Sequence, residues 1–512
     1  MNDEERIRED TCDTRRFFIS TYHADLHGQS TNTYLNFKIH NNMKKLITIV
    51  LSLLLLVPLL AQSQSLTREQ KAYELSVLWK EITYNFANRD HCPEVDLDSL
   101  YQAYIPQAMR TRNNFEHYLT MQRFAASFHN SHTYCMLPQN LFPELAMVRL
   151  ITEVRDGRIF VKNISSRYEK EIKPGDEILQ VDGMPAQAYF RDYVGQYVSC
   201  SNPEAVLDYA MFTPQGLSPL VFQHRDNLKP LTLQVLSGDR KKTVKVHYDW
   251  FFAPTERQRK SQERYHWVDT TQVLTNEQNN LMITDEEDDA VYFRIDDCNE
   301  ATAQVFTEHL PEILKHSALI IDLRYNMGGD GRAYSPIVPH LIDNDMVVLS
   351  GKMQTPVHNA TYMARASVRL MYYSPEQVSE QEKAFYYPYY NHTAFETISP
   401  DTVANTVPVG ERFHGRIYLL IGPKTASAAE GFAAMLTQNP QTVTVGKKSS
   451  GATGQPLLVP LPSGIVCFIN TFKTYDFNDR DYSSGIVPDV EMELGKVPVQ
   501  EVIRKVMTLL VQ

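Results

Sequence analysis

Clustered basic residues are scarce in this 512-residue chain. Its 50 Lys and Arg residues are outnumbered by 61 Asp and Glu residues, which leaves a formal net charge of -11. A surface that binds nucleic acid concentrates Lys and Arg on one face or along one helix, because each phosphate carries a negative charge. No basic run of that kind is present, so the composition argues against nucleic acid as a partner.

Cysteine is also rare, and its spacing is wide and irregular. The six cysteines are Cys12, Cys92, Cys135, Cys200, Cys298 and Cys467. A disulfide framework or a structural zinc site would show short, regular spacings, and neither is indicated. Because no cluster of metal ligands appears either, we predict no metal and no organic cofactor. Cys135 stands near a histidine, but no spacing supports a cysteine nucleophile there.

The chain has no apolar run long enough for a confident membrane span. The run from Leu46 to Leu60 is shorter than the roughly 20 residues that a spanning helix needs. Two lysines precede it and small residues follow, so residues 43–63 have the layout of a secretory signal peptide. We therefore predict a secreted or periplasmic protein without a stable membrane span after cleavage. Residues 1–42 are interpreted as a start-site artefact, and the alternative is a cytoplasmic extension that makes the segment a signal anchor.

The remaining sequence predicts about three domains, as its length implies. Helical periodicity dominates residues 66–145, β-rich runs with turn signals dominate 146–250, and 251–280 is predicted to be a polar linker. Residues 281–512 alternate strands and helices, as an α/β core does. Within that core, 356–412 is predicted to be an irregular, tyrosine-rich insertion. It is either a lid over a substrate groove or a segment that packs its own rings together.

A lone serine, Ser427, lies at the predicted boundary between an apolar strand and a helix, in IGPKTASAAEGFAAML (421–436). Backbone N–H groups at a helix start have no intrahelical partners, so the Ala428 N–H is available to a developing oxyanion. Ser427 is therefore a candidate nucleophile. The alternative is a helix cap, because Glu430 completes a capping box with Ser427.

A second motif, DLRYNMGGDG (322–331), runs from a buried strand into paired glycines. Such a loop can turn backbone N–H groups toward a negative charge, so Gly328 or Gly329 is a candidate second oxyanion donor. The alternative is a plain turn at the end of the strand, braced by pairing of Asp322 with Arg324.

Two resemblances connect these motifs. The segment PGDEILQVDG (174–183) resembles the signature of PDZ domains, which bind extended peptides at a sheet edge. The alternative is that this module only packs against its neighbours. Together, LIIDLRYNMGG, GPKTASAAEGF and SSGIVPDV resemble the C-terminal processing (tail-specific) serine peptidase family, from about residue 66 to the end.

That family resemblance implies an α+β multidomain fold. It comprises an N-terminal helical region, a PDZ-like β domain and an α/β sandwich peptidase core of the crotonase and Clp-protease type. It also implies that Ser427 is the nucleophile. One branch of the family uses a lysine base, but the lysine position falls on Ala452 here. Lys447 and Lys448 stand earlier in the chain, and Lys448 is the fallback base.

The tricorn-like branch uses a histidine in a Ser-His pair before a tyrosine, a pattern that SHTY (131–134) matches. An imidazole with an ordinary pKa near 6.5 can accept the Ser427 proton and return it to a leaving amine. We therefore predict His132 as the general base, with His129 as a neighbouring competitor. The resemblance implies that Ser131 hydrogen-bonds this network.

The acidic member of the network is less clearly marked. The branch places an acid shortly before a G-V-x-P-D motif, and FNDRDYSSGIVPDV offers Asp479 and Asp481. Either could orient a third group or the imidazole, and we predict Asp481 in this role. Asp489 belongs to the Pro-Asp turn and is predicted to be structural.

The sequence thus predicts a secreted or periplasmic serine endopeptidase that acts on polypeptides through Ser427 and His132. The other interpretation is a catalytically inactive homologue that serves as a PDZ-type peptide-binding scaffold. The absent lysine and the imperfect acid match favour that alternative. Neither the cleavage specificity nor the oligomeric state follows from the sequence.

Overall fold

The computed structural model describes residues 65–211, 222–250, 255–256, 259–260, 265, 268, 280–285, 287, 289–495 and 497–511. The predicted signal peptide and the residues before it lie outside the described residues, as does most of the predicted linker. All described residues belong to one compact unit. None of the helices among them combines the length and apolar character that a bilayer crossing requires.

The described secondary structure alternates between helical and β-rich regions. The helices are α1 (Arg68–Asn85), α2 (Leu97–Arg110), α3 (Asn114–Ala126), α4 (Ala186–Ala188), α5 (Val206–Met211), α6 (Glu300–Ile313), α7 (Ala360–Tyr372), α8 (Glu380–Tyr390), α9 (Ala428–Leu436) and α10 (Val499–Met507). The first strands are β1 (Tyr134–Met136), β2 (Leu145–Met147), β3 (Leu150–Arg155), β4 (Arg158–Ile164), β5 (Glu177–Val181), β6 (Met184–Pro185), β7 (Phe222–His224), β8 (Leu231–Ser237), β9 (Arg240–Val246) and β10 (Asp249–Trp250). The later strands are β11 (Asn280–Asp285), β12 (Ala290–Ile295), β13 (Ala318–Asp322), β14 (Met346–Ser350), β15 (Met353–Pro356), β16 (Phe395–Ile398), β17 (Asp401–Ala404), β18 (Arg416–Ile421), β19 (Thr442–Gly446), β20 (Pro456–Pro460), β21 (Val466–Asn470), β22 (Lys473–Thr474) and β23 (Val490–Glu491).

The N-terminal region is helical and is joined to the late part of the chain. Side chains at Thr67, Asp96 and Asn113 cap α1, α2 and α3, as Thr, Asp and Asn do at helix starts. The buried Glu74 carboxylate contacts His117 Nε2 at 2.9 Å and accepts the Ser463 N–H at 2.6 Å. Strand β1 pairs antiparallel with β21, which pairs with β20. The helical region therefore shares a sheet with strands that stand more than 300 positions later.

The middle region is an antiparallel sheet in the order β3-β4-β5-β8-β9, with β6 paired to β5. Tight turns with positive φ close two of its hairpins, at Asp156-Gly157 (50° and 71°) and at Asp182-Gly183 (49° and 83°). Asp-Gly favours such turns because Gly has no Cβ and Asp tolerates the left-handed region. The hairpin and turn predictions for this region are confirmed, and β3 lies at one edge of the sheet.

The core is a sheet in the order β11-β12-β13-β18-β19-β23, parallel from β12 onward. One face packs on α6 and α9 through Phe306 and Phe432, and the other on α10 through Val502 and Val506. Both faces are covered, which explains why β13 is apolar until its last residue and wholly buried. The predicted α/β core is confirmed. It also places the strand ends before 322–331 and 421–436 at the same edge of the sheet.

The prediction of an irregular insertion at 356–412 was wrong. Helices α7 and α8 form a hairpin flanked by strands β15 and β16, which pair with each other. The Tyr362 ring packs against Phe385 and Tyr389, at centroid distances of 5.1 and 4.9 Å. A capping box of Ser379 with Glu382 begins α8, a local signal that the tyrosine content obscured. Many of the insertion's rings thus pack on one another.

Candidate functional site

Ser427 lies in a strained turn between β18 and α9. Its φ of 55° and ψ of -122° are unusual for a residue with a side chain, and such conformations cost about 1–3 kcal/mol. Contacts with the glycine loop that follows β13 hold the turn: Thr425 Oγ1 donates to the Leu323 carbonyl at 2.8 Å, and the Ala426 N–H donates to the Asn326 carbonyl at 3.0 Å. A serine on a sharp strand-to-helix turn is the geometry that presents a hydroxyl as a nucleophile.

Both glycines of the loop are required by close approach. A Cβ on Gly328 (φ +105°) would lie 2.6 Å from Ser427 Cβ and 3.1 Å from the Ala428 nitrogen. A Cβ on Gly329 (φ +132°) would lie 2.3 Å from the Cys298 carbonyl oxygen. The paired glycines therefore allow the loop to lie directly against the serine turn.

Two backbone N–H groups beside Ser427 are available to an anion. The N–H groups of Ala428 and Gly329 donate to no acceptor among the described residues. The Gly328 N–H is engaged, because it donates to Asn326 Oδ1 at 2.8 Å. Gly328 is therefore corrected from a candidate donor to a residue needed for close approach, and Gly329 with Ala428 remains the candidate pair.

The backbone of Thr453 and Gly454 holds the His132 ring. It follows α3 and precedes β1, and its Nδ1 lies 2.6 Å from the Gly454 carbonyl oxygen. A carbonyl can only accept a hydrogen bond, so Nδ1 carries the proton and Nε2 keeps its lone pair. Burial lowers the pKa of His132 below its ordinary value of 6.5. Burial thus favours the neutral imidazole, and the hydrogen bond with Gly454 favours the tautomer in which Nε2 is the basic nitrogen.

One loop contacts both the serine turn and the histidine. We name residues 449–454, which follow β19, the bridging loop. Its Gly454 carbonyl holds His132, and its Gly451 N–H donates to Glu430 Oε1 at 2.7 Å. Glu430 lies in the first turn of α9 and accepts the Ser427 N–H at 3.2 Å. The bridging loop thus connects His132, from the helical N-terminal region, with the serine turn.

Glu430 is wholly buried and is more than a helix cap. Besides the Ser427 and Gly451 N–H groups, its carboxylate accepts the Ser449 hydroxyl and the Ala452 N–H. Burial raises its pKa to about 7, although these donors favour the ionised form. The sequence predicted the capping box, but the contacts with the bridging loop had no sequence signal.

Ser131 braces the bridging loop indirectly. It is buried and exchanges two hydrogen bonds with Ser201, each N–H donating to the other hydroxyl at 3.0 Å. The Ser201 hydroxyl donates to the Gly451 carbonyl at 2.7 Å. Ser131 thus lies in the network around the site, in contact with Ser201.

The predicted acid is elsewhere. Asp481 accepts the Ser483 N–H at 2.8 Å and lies 3.7 Å from His91 Nε2. Since a backbone carbonyl orients His132, the prediction that Asp481 does so was wrong. Asp479 pairs with Lys352 at 2.7 Å. Asp489 accepts from Thr444 across neighbouring strands, so its predicted structural role is confirmed.

The lysines near the site have other contacts. Ala452, which occupies the family's lysine position, is buried and has only a methyl side chain. Lys447 forms an exposed ion pair with Glu493. The Lys448 side chain packs against Gly485, where an added Cβ would lie 3.2 Å from Lys448 Cε.

A cavity of about 550 Å³ adjoins the glycine loop without including Ser427. It lies between the edge strand β3 and the ends of β12 and β13. Its lining includes Ile151, Glu153, Tyr292, Arg324, Met327 and Lys424. On its wall, Arg324 pairs with Asp322 at 2.7 Å, a pairing that the sequence offered as one alternative. The Tyr292 hydroxyl donates to the same carboxylate at 2.6 Å.

Comparisons with known proteins agree with this architecture. Residues 289–492 match the sequence model of Peptidase family S41. The chain is similar to the structure of mature CPAF complexed with lactacystin, with a TM-score of 0.59 and 16% identity over 87% of this chain and 98% of that chain. It is also similar to the crystal structure of mature CPAF, with a TM-score of 0.58 and 17% identity over 87% of this chain and 97% of that chain. A photosystem II D1 C-terminal processing protease also matches, with a TM-score of 0.43 and 14% identity over 85% of this chain and 96% of that chain. No curated protein matches, and the likeness to the CPAF structures shows a shared fold.

Proposed function

We propose that the chain is a secreted or periplasmic serine endopeptidase that acts on polypeptides, and the match of residues 289–492 to the Peptidase family S41 model supports this proposal. Ser427 is its nucleophile and His132 its general base. The observation that carries this proposal is the bridging loop, which contacts both the serine turn and the base-competent histidine.

The proposed reaction begins with attack of the Ser427 hydroxyl on a peptide carbonyl carbon. His132 Nε2 accepts the hydroxyl proton, and the N–H groups of Gly329 and Ala428 stabilise the tetrahedral oxyanion. The imidazolium then returns the proton to the leaving amine, and the acyl-enzyme remains on Ser427. Water activated by the same imidazole hydrolyses that ester and regenerates the hydroxyl.

The β3 edge is the proposed docking site for the polypeptide. An extended peptide can bind at the edge of a sheet by adding a strand to it. The cavity beside β3 extends to Met327, in the loop that carries Gly329. A peptide bound there has a short path to Ser427, which supports a substrate-presenting role for the predicted PDZ-like module.

A fluorophosphonate probe tests the nucleophile assignment directly. We expect one probe per folded chain, with the adduct mapped by peptide analysis to Ser427. A chain that is heat-denatured before the probe is added should not be labelled. An adduct on a different serine would contradict the assignment. A folded chain that binds peptides but takes no probe would instead support the inactive scaffold.

Glu430 is the proposed positioning residue for this site, and Glu430→Gln tests it. An amide has one acceptor oxygen and turns an NH₂ toward other donors, so buried N–H groups lose their partner. The lost acceptors cost about 1–3 kcal/mol of the free energy of unfolding, but the neutral amide also avoids the buried charge that raises the carboxyl pKa, so we expect a smaller net change at pH 8, measured in urea. We expect kcat to fall on the order of 10²-fold, because the serine turn and the bridging loop shift.

Glu382→Gln is the matched control, since Glu382 occupies the equivalent capping-box position of α8, where it is half-buried and paired with Arg369 away from the site. It should leave kcat unchanged. A Glu430→Gln variant with the wild-type stability and kcat would show that the bridging loop does not depend on this carboxylate.

A further inference from the structure

Cys135 and Cys467 lie directly opposite each other in the sheet that joins the helical region to the core. Cys135 is the middle residue of β1, and its register partner on β21 is Cys467. The two Sγ atoms are 3.3 Å apart, and both side chains are fully buried. The residues are separated by 332 positions in the chain.

The pairing type also suits a covalent bond. The Cys135 N–H donates to Gln122 Oε1 at 2.7 Å, so it points away from β21. The two cysteines therefore form a non-hydrogen-bonded antiparallel pair, in which Cα atoms are about 4.5 Å apart and side chains are closest. Disulfides join Cα atoms about 4.4–6.8 Å apart, so this backbone accommodates one without rearrangement.

The other cysteines among the described residues have different contacts. Cys92 Sγ contacts the Asn88 and Arg89 carbonyls, Cys200 Sγ contacts the Asn202 carbonyl, and Cys298 Sγ contacts the Asn326 side chain. The Sγ–Sγ approach of Cys135 and Cys467 is thus specific to this pair.

We propose that Cys135 and Cys467 form a disulfide in the exported protein, which covalently fixes the strand that follows His132 to the core. The inference rests on the export proposed above. A small disulfide such as oxidised glutathione is the oxidant: one cysteine thiolate attacks it and releases one thiol. The second cysteine thiolate then attacks the mixed disulfide and releases the other thiol, so two electrons and two protons pass from the cysteines to the oxidant.

The bond forms before the sheet closes. In the folded chain, the hydrogen bond with Cys135 together with burial raises the pKa of the Cys467 thiol well above its ordinary value. The thiolate is the attacking species, so the buried pair reacts slowly once both strands are in place. Oxidation therefore accompanies folding.

Peptide mapping of the refolded full chain tests the proposal. The chain is refolded with oxidised and reduced glutathione, free thiols are blocked with N-ethylmaleimide in denaturant so that buried thiols also react, and the protein is digested without reductant. We expect a linked peptide that contains Cys135 and Cys467 and disappears on reduction. We also expect reduction to lower Tm by roughly 5 °C, since a bond that closes a long loop restricts the unfolded chain.

Cys135→Ala and Cys467→Ala should each abolish the linked peptide and the reduction-dependent change in Tm. The control Cys92→Ala, which alters a buried cysteine with other contacts, should retain both. If both cysteines carry N-ethylmaleimide after oxidative refolding, the proposal is overturned, and this result needs only the wild-type chain. None of these measurements uses peptidase activity, so they are independent of the proposed catalytic mechanism.

Discussion

Replacing Ser427 with alanine is expected to lower kcat for peptide hydrolysis by about 10⁴–10⁶-fold, the range found when a serine nucleophile is removed. The alanine keeps Cβ, so it introduces no new clash at the φ of 55° and leaves the contact with Gly328 intact. We therefore expect Tm to fall by no more than the few degrees that the loss of one helix cap costs, while single-turnover acylation is lost. Steady-state kinetics with a fluorogenic peptide, together with thermal unfolding, measures both quantities.

Ser379→Ala is the matched control for this variant. Ser379 is also the first residue of a capping box with a glutamate three positions later, but it begins α8. Losing that cap should cost about 1 kcal/mol of stability and leave kcat unchanged. If Ser427→Ala retained wild-type kcat, Ser427 would be a helix cap and no more.

Replacing His132 with glutamine is expected to lower kcat/KM by at least roughly 10⁴-fold. The glutamine amide can still donate to the Gly454 carbonyl, so the bridging loop keeps a partner. What is lost is the Nε2 lone pair that we propose as the acceptor of the Ser427 proton. His129→Gln is the control, because His129 is an exposed neighbour that lies 3.8 Å from Glu94. Loss of activity in His129→Gln and not in His132→Gln would reverse the assignment.

The pH dependence of the wild-type enzyme separates two groups near the site. The base must be neutral, and burial lowers the pKa of His132 below 6.5. We therefore expect kcat/KM to rise with pH through a midpoint below 6.5 and to stay level above it. The Glu430 carboxyl has a pKa raised to about 7 by burial. An acid limb centred near pH 7 would thus identify Glu430, rather than the imidazole, as the controlling group.

The parts of the fold that were predictable have strong local signals. A few neighbouring residues are enough to predict the apolar strands β13 and β18, the Asp-Gly turns and the capped helices. The serine turn was readable for the same reason, since small residues, a strand end and a capping box occur together. Paired glycines marked the approach of the 322–331 loop, although not which glycine N–H would be free.

The parts that were missed depend on contacts between distant segments. A carboxylate was expected to orient His132, but the orienting group is the Gly454 carbonyl, which every residue type possesses and no sequence pattern marks. Asp481 was a reasonable candidate by position, yet its turn carries it to His91. The role of Glu430 in holding the bridging loop was hidden because capping alone accounted for it.

The 322-position separation of His132 from Gly454 has a consequence for biosynthesis. A chain that is still emerging from the ribosome has the imidazole but not yet the carbonyl that aligns it or the hydroxyl that it serves. On the proposed mechanism, peptidase activity therefore requires that the final third of the polypeptide has been made and folded onto the first helices.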